Sequence, residues 1–157
     1  MLIPEVGNRK VIYLDIINSL DELENLQLKN WVLFVIEDNS TNPILDGFAR
    51  LCIQKELLYL ATTGEACEQV HDFFDFTMLE LELEGAKLPS WYLSEEDVLM
   101  TVWDSAFDEG FWFITSVATY EDWPIETVLV ANLTDKNYLP RIQELAKQIN
   151  GGWLPSG

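Results

Sequence analysis

Histidine, cysteine and positive charge are scarce in this sequence of 157 residues, which has one His, two Cys, and 9 Lys plus Arg against 27 Asp plus Glu. With His71 the lone imidazole and no Cys-x-x-Cys pair, the Cys/His ligands of a closed zinc site cannot be assembled within one chain. Cys52 and Cys67 have apolar neighbours and read as packing residues, because a secreted disulfide framework carries more cysteines in a shorter chain. Long apolar runs are missing too: the longest, residues 31–36, falls far short of the roughly 20 residues that span a bilayer. The first residues, Met1-Leu2-Ile3-Pro4-Glu5, meet proline and an acid at once and lack the pattern of a signal peptide. The expectation is a cytoplasmic protein of bacterial type with no membrane partner.

Catalytic signatures are absent as well. There is no G-x-G-x-x-G, no G-x-x-x-x-G-K-[ST] and no G-x-S-x-G elbow. A Ser-His-Asp system would have to recruit His71 from an acid-rich helix. Cys67 and His71 lie four apart on one helix face, but the surrounding acids raise a thiol pKa instead of lowering it. Nucleophilic catalysis is therefore not expected.

What is present is apolar and aromatic content, 48% and 12%, too high for a disordered acidic tail. A chain of this length buries roughly 70% of its unfolded surface. Apolar runs of strand length at 10–16, 31–37, 57–63, 98–103 and 127–133 alternate with segments of helical period at 20–28, 42–55, 65–79, 106–119 and 136–149. Several strand runs are apolar at nearly every position, as strands covered on both faces must be. The order predicts an α/β three-layer sandwich: one domain over residues 1–157, with a mostly parallel five-stranded sheet, helices on both faces, and 151–157 as a C-terminal tail.

Local chemistry marks the ends. Ser19 and Ser105, each followed three residues on by an acid, fit capping boxes; Asp135 is placed to cap the last helix, and Gly151-Gly152 to stop it. Residues 79–84 alternate Leu and Glu with a strand's period while continuing a helical stretch. Residues 106–119 read as helix; as strand they would turn 98–133 into an antiparallel meander. Trp153-Leu154-Pro155 is an apolar tail, expected to cover its own core or to hold a second copy.

The excess charge is concentrated. Residues 1–64 carry nine acids and five bases, 65–126 sixteen acids and one base, and 127–157 two acids and three bases. Such a field repels phosphate backbones, so no direct nucleic-acid partner is expected, and it accelerates encounter with a basic protein. The sequence therefore predicts a non-enzymatic acidic protein that binds a basic protein partner, of inhibitor, immunity or adaptor type. Its binding residues are expected to be Glu80, Glu82, Glu84, Glu95, Glu96 and Asp97, with Trp91 and Tyr92 as aromatic anchors in the loop 87–93.

The alternative lies at the carboxyl ends of the strands, where open parallel sheets bind ligands. There Glu37, Asp38 and Asp104 form a carboxylate set suited to Mg²⁺ in a phosphate-handling or signalling domain. The stretch VLFVIEDN, followed by a helix and LLYLATTGEACEQV, resembles the opening of phosphoacceptor receiver domains over about 45 residues. That resemblance implies Asp104 as phosphoacceptor and Lys136 as the basic residue after the last strand. The spacing from Asp38 to Asp104 exceeds the family's, and one αβ unit separates Asp104 from Lys136 where the family has two.

Overall fold

The structure, a computed structural model, describes residues 3–94 and 96–156. Five strands form, β1 (Lys10–Asp15), β2 (Trp31–Ile36), β3 (Tyr59–Thr63), β4 (Met100–Trp103) and β5 (Thr127–Asn132). Five α-helices accompany them: α1 (Asp21–Asn25), α2 (Leu45–Gln54), α3 (Cys67–Leu83), α4 (Phe107–Trp112) and α5 (Leu139–Asn150). The expected α/β sandwich is thus present, and its sheet is parallel at every pairing. Strands β2 and β3 are buried at every position, which is why their runs are continuously apolar instead of alternating. Among the described residues no helix is long and apolar enough to cross a membrane.

The spatial order is β1-β5-β2-β3-β4. Right-handed crossovers from β1 through β2 and β3 to β4 set α1, α2 and α3 on one face, and the return from β4 to β5 sets α4 on the other. Consistent with this, α2 packs on α3 and α4 on α5. The chain therefore leaves β2 toward one face and its neighbour β5 toward the other. This is the switch point at which doubly wound sheets open a crevice.

Local details follow from packing. Residues 79–84 continue α3 because Phe74, Met78 and Leu81 are buried at helical spacing, whereas Leu79 and Leu83 point outward. Residues 106–119 form α4 and then a π-helical turn, Phe113–Val117. The Arg9 guanidinium braces that turn by donating to the carbonyls of Ile114 and Ala118. Gly110 lets α4 settle on the sheet, since a Cβ there would stand 3.0 Å from the Phe34 ring.

The helix starts differ from expectation. Ser19 Oγ accepts the Asp21 N–H. At α4, however, Ala106 and not Ser105 takes the cap position, with its N–H going to Asp104, and α5 starts later than 136, with Asn137 and not Asp135 accepting its first amide, from Leu139. Gly152, at φ 101°, supplies the left-handed residue that ends α5. Buried indoles find partners: Trp31 donates to the Lys55 carbonyl and Trp91 to that of Leu57.

Candidate functional site

The switch-point crevice is built by the loops after β2, β3 and β5 and by the starts of α4 and α5. It encloses about 430 Å³ and is lined by Asp38, Thr63, Gly64, Phe107, Lys136, Tyr138 and Arg141, among others. Gly64 is obligatory. It sits at φ 101°, and a Cβ would come within 2.3 Å of the Glu37 carbonyl oxygen, so only glycine lets the loop after β3 close on the loop after β2. That closure sets the Glu65 N–H at 3.0 Å from Asp38 Oδ1.

The opposite wall is set by Asn132, fully buried at the end of β5. Its amide nitrogen donates to Tyr13 Oη, Asp15 Oδ1 and the Lys136 carbonyl, while its oxygen accepts the backbone N–H and the hydroxyl of Thr134. Burial and the neighbouring Asp15 push the Tyr13 hydroxyl up to about 12, so it stays a donor to Asp15. This network fixes the loop carrying Lys136, whose ammonium stands 3.6 Å from Asp38 Oδ2.

The carboxylates proposed for Mg²⁺ are not brought together. Glu37 is 2% exposed, and its carboxylate accepts the N–H groups of Asp38 and Asn39 and the Asn42 amide, which consumes it in shaping its own loop. Burial raises the Glu37 carboxyl above its usual range despite these bonds. Asp104 follows β4, two strand positions from β2, a lateral separation of roughly 10 Å. Its carboxylate accepts the Ala106 N–H. The receiver arrangement implied for Asp104 and Lys136 is likewise not reproduced, because Asp104 ends an edge strand while Lys136 follows β5 on the far side of β2 and β3.

Among the described residues, the one trio of His, Cys, Asp or Glu whose ligand atoms all lie within 4.8 Å is His71, Asp72 and Asp75. The imidazole there is engaged on both sides, by Asp72 Oδ1 at 3.0 Å and by Thr101 Oγ1 at 2.9 Å, so it ties α3 to β4. Both cysteines are buried and unbridged, and burial raises both thiols. The expected packing role fits them.

The residues expected to meet a basic partner divide. Glu80 and Glu84 turn toward α2, where Arg50 bonds both and holds the Glu84 carboxyl below its usual range. Trp91 is 4% exposed and is a core residue instead of a surface anchor. Glu95 lies outside the described residues. Glu96 is exposed, and Asp97 shapes its turn by accepting the Leu93 and Ser94 N–H groups. Glu82, Tyr92 and Asp97 do share a surface feature, a groove of about 470 Å³ beside β4, whose other lining includes Asp75, Leu79, Val98 and Met100.

That groove was invisible in the sequence. Leu79, Val98 and Met100 are exposed, as is Phe76, which borders Leu79 in an adjoining hollow with Asp72 and Asp75. Among the described residues strand β4 pairs with β3 alone, which leaves its second edge without a strand partner beside the groove. The outward Leu79 and Leu83 in a Leu-Glu alternation were the available signal, and they are legible only once the segment is known to be helical.

Fold and crevice together define the class: a doubly wound α/β protein whose parallel sheet sends the chain to opposite faces after β2 and β5. The chain belongs to the family described as Domain of unknown function (DUF7684), whose profile matches residues 10–149, from the start of β1 into the last turn of α5. Comparisons with curated proteins and with solved structures find no match.

Proposed function

We propose that this is a non-enzymatic cytoplasmic protein that binds a basic protein partner, of inhibitor, immunity or adaptor type, through the groove beside β4. The occupant is an extended segment bearing Lys or Arg around apolar residues, added to the open strand edge. One observation carries the reading: Phe76, Leu79, Val98 and Met100 are exposed together beside an unpaired edge, and Asp72, Asp75, Glu82 and Asp97 rim them. An added strand gains main-chain hydrogen bonds, and its alternate side chains enter the groove. Each large apolar side chain fully covered contributes about 1.5–3 kcal/mol, from which the cost of association is subtracted. The net charge of -18 favours a cationic occupant and speeds its arrival.

The test is selection of a random peptide library on the folded protein, with counter-selection on a Leu79→Lys/Val98→Lys double variant. Both positions are exposed, so the variant retains the fold. Enriched sequences are expected to alternate apolar residues with Lys or Arg and to bind less tightly as salt rises. Failure to enrich, or binders indifferent to the double variant, overturns the reading.

A further inference from the structure

The switch-point crevice is separate from the β4 groove and carries its own evidence of a ligand. Thr63, at the end of β3, is 1% exposed and lines the crevice. Among the described residues its Oγ1 has no hydrogen-bond partner. Leaving a buried hydroxyl unpaired costs about 1–3 kcal/mol, so a polar atom entering the crevice and bonding Thr63 recovers that loss. The volume, about 430 Å³, lies in the range of small-molecule pockets.

Charge selects the ligand class. Two oppositely charged pairs cross the crevice, Lys136 with Asp38 and Arg141 with Asp108. The first joins the loops after β5 and β2, and the second joins α5 to α4. A third link is apolar: the rings of Phe107 and Tyr138 stack with centroids 5.1 Å apart. The Lys136 ammonium at 3.6 Å from Asp38 is beyond hydrogen-bond reach, so its donors are not committed to that partner.

A purely anionic ligand would draw Lys136 from Asp38 and set a second negative charge against that carboxylate, in a molecule already carrying -18. A purely cationic one would set a second positive charge against Lys136. A ligand carrying both signs meets Lys136 with an anion and Asp38 with a cation, while Arg141 keeps Asp108 and offers the anion its remaining N–H donors.

We propose that the crevice between β2 and β5 binds a small zwitterion bearing one anionic group and one primary ammonium. Lys136 and Arg141 take the anionic group, Asp38 takes the ammonium, Thr63 Oγ1 supplies the remaining hydrogen bond, and the Phe107–Tyr138 stack forms the apolar wall. Carboxylate and phosphate versions share this chemistry, so free amino acids and phosphorylated amines are separate arms of the test.

The experiment is calorimetric titration of the full chain with each common L-amino acid in turn and with O-phosphoethanolamine. Acetate, inorganic phosphate and ethylamine serve as single-charge controls. At least one zwitterion is expected to saturate, at least about tenfold more tightly than every control. Saturation by an amino acid assigns a carboxylate ligand, and by O-phosphoethanolamine a phosphate one; either supports the proposal. Lys136→Met, at an exposed position, and the near-isosteric Thr63→Val should each weaken that binding by about tenfold, with unfolding midpoints no lower than wild type. Silence from every zwitterion, a control that binds equally well, or binding that survives both substitutions overturns the proposal. None of these outcomes bears on the peptide groove, so the two readings fail separately.

Discussion

Gly64 and Glu37 show how single residues hold the crevice open. Replacing Gly64 by Ala drives a methyl group into the Glu37 carbonyl at a φ that side chains rarely adopt. Both faults act on one loop, so Gly64→Ala is expected to cost about 3 kcal/mol or more in urea denaturation and to abolish crevice binding. Glu37 acts through its charge. Burial raises its carboxyl in the folded state, so the fold binds that proton more readily than the unfolded chain does. Its favourable contribution is complete below the ordinary carboxyl value of 4.5 and is lost as pH rises through the raised one. As pH rises above about 4.5, the fall in unfolding midpoint of the wild type should therefore be steeper than that of Glu37→Gln. Equal slopes would show that other groups dominate the response. At this scale the sequence disclosed the residue types at the strand ends but not their roles, because Glu37 and Asp38 are adjacent in the chain yet one caps its own loop and the other faces the crevice.

Elements are joined by few cations, which makes each one conspicuous. Arg50 on α2 reaches Asp46 on its own helix and Glu80 and Glu84 on α3, and it is the only Arg or Lys on either helix. The pair is solvent-facing, so its contribution is screened by salt. Arg50→Met is expected to speed amide exchange in the last turn of α3, near residues 80–84, at low salt, and to have little effect at high salt. An unchanged exchange pattern at low salt would mean that the buried faces of α2 and α3 alone fix their packing. The elements themselves were legible from periodicity: the five runs of strand length became the five strands, and the helical segments became α1 through α5 with shifted ends. What was not legible was the character of 79–84, since a Leu-Glu alternation satisfies a strand's period, and burial of Leu81 alone among its three leucines settles it as helix. The loop around Trp91 misled for a related reason: an indole in a proline-interrupted segment looks exposed until the carbonyl of Leu57 is found to receive its N–H.

The whole molecule carries its charge as a cost. With 27 acids against 9 bases, self-repulsion opposes compaction, and mobile ions relieve it over a Debye length of about 10 Å at 0.1 M salt. The thermal midpoint should therefore rise as NaCl is increased from about 10 mM to about 0.5 M. A flat or falling response would mean that the carboxylates are too widely dispersed to repel. Dispersion is partial: Glu80 and Glu84 turn to Arg50 and Glu126 accepts from Asn30, while Asp72, Asp75, Glu82 and Asp97 gather at the edge groove. The tail Trp153-Leu154-Pro155 leaves Leu154 exposed and outside the core. Leu154 and Pro155 line a cleft of about 510 Å³ with Val102, Trp103, Trp112 and Phe113.

The sequence alone determined the alternation of strand and helix, the parallel sense of the sheet and the acidity of the middle of the chain, because periodicity, crossover handedness and charge are properties of local order along a polymer. Strand order was decided only in three dimensions. Inserting β5 between β1 and β2 brings Lys136 beside Asp38 across nearly a hundred residues and leaves β4 with an open edge. No local pattern encodes that choice, since it depends on which buried faces fit one another once every strand has already formed.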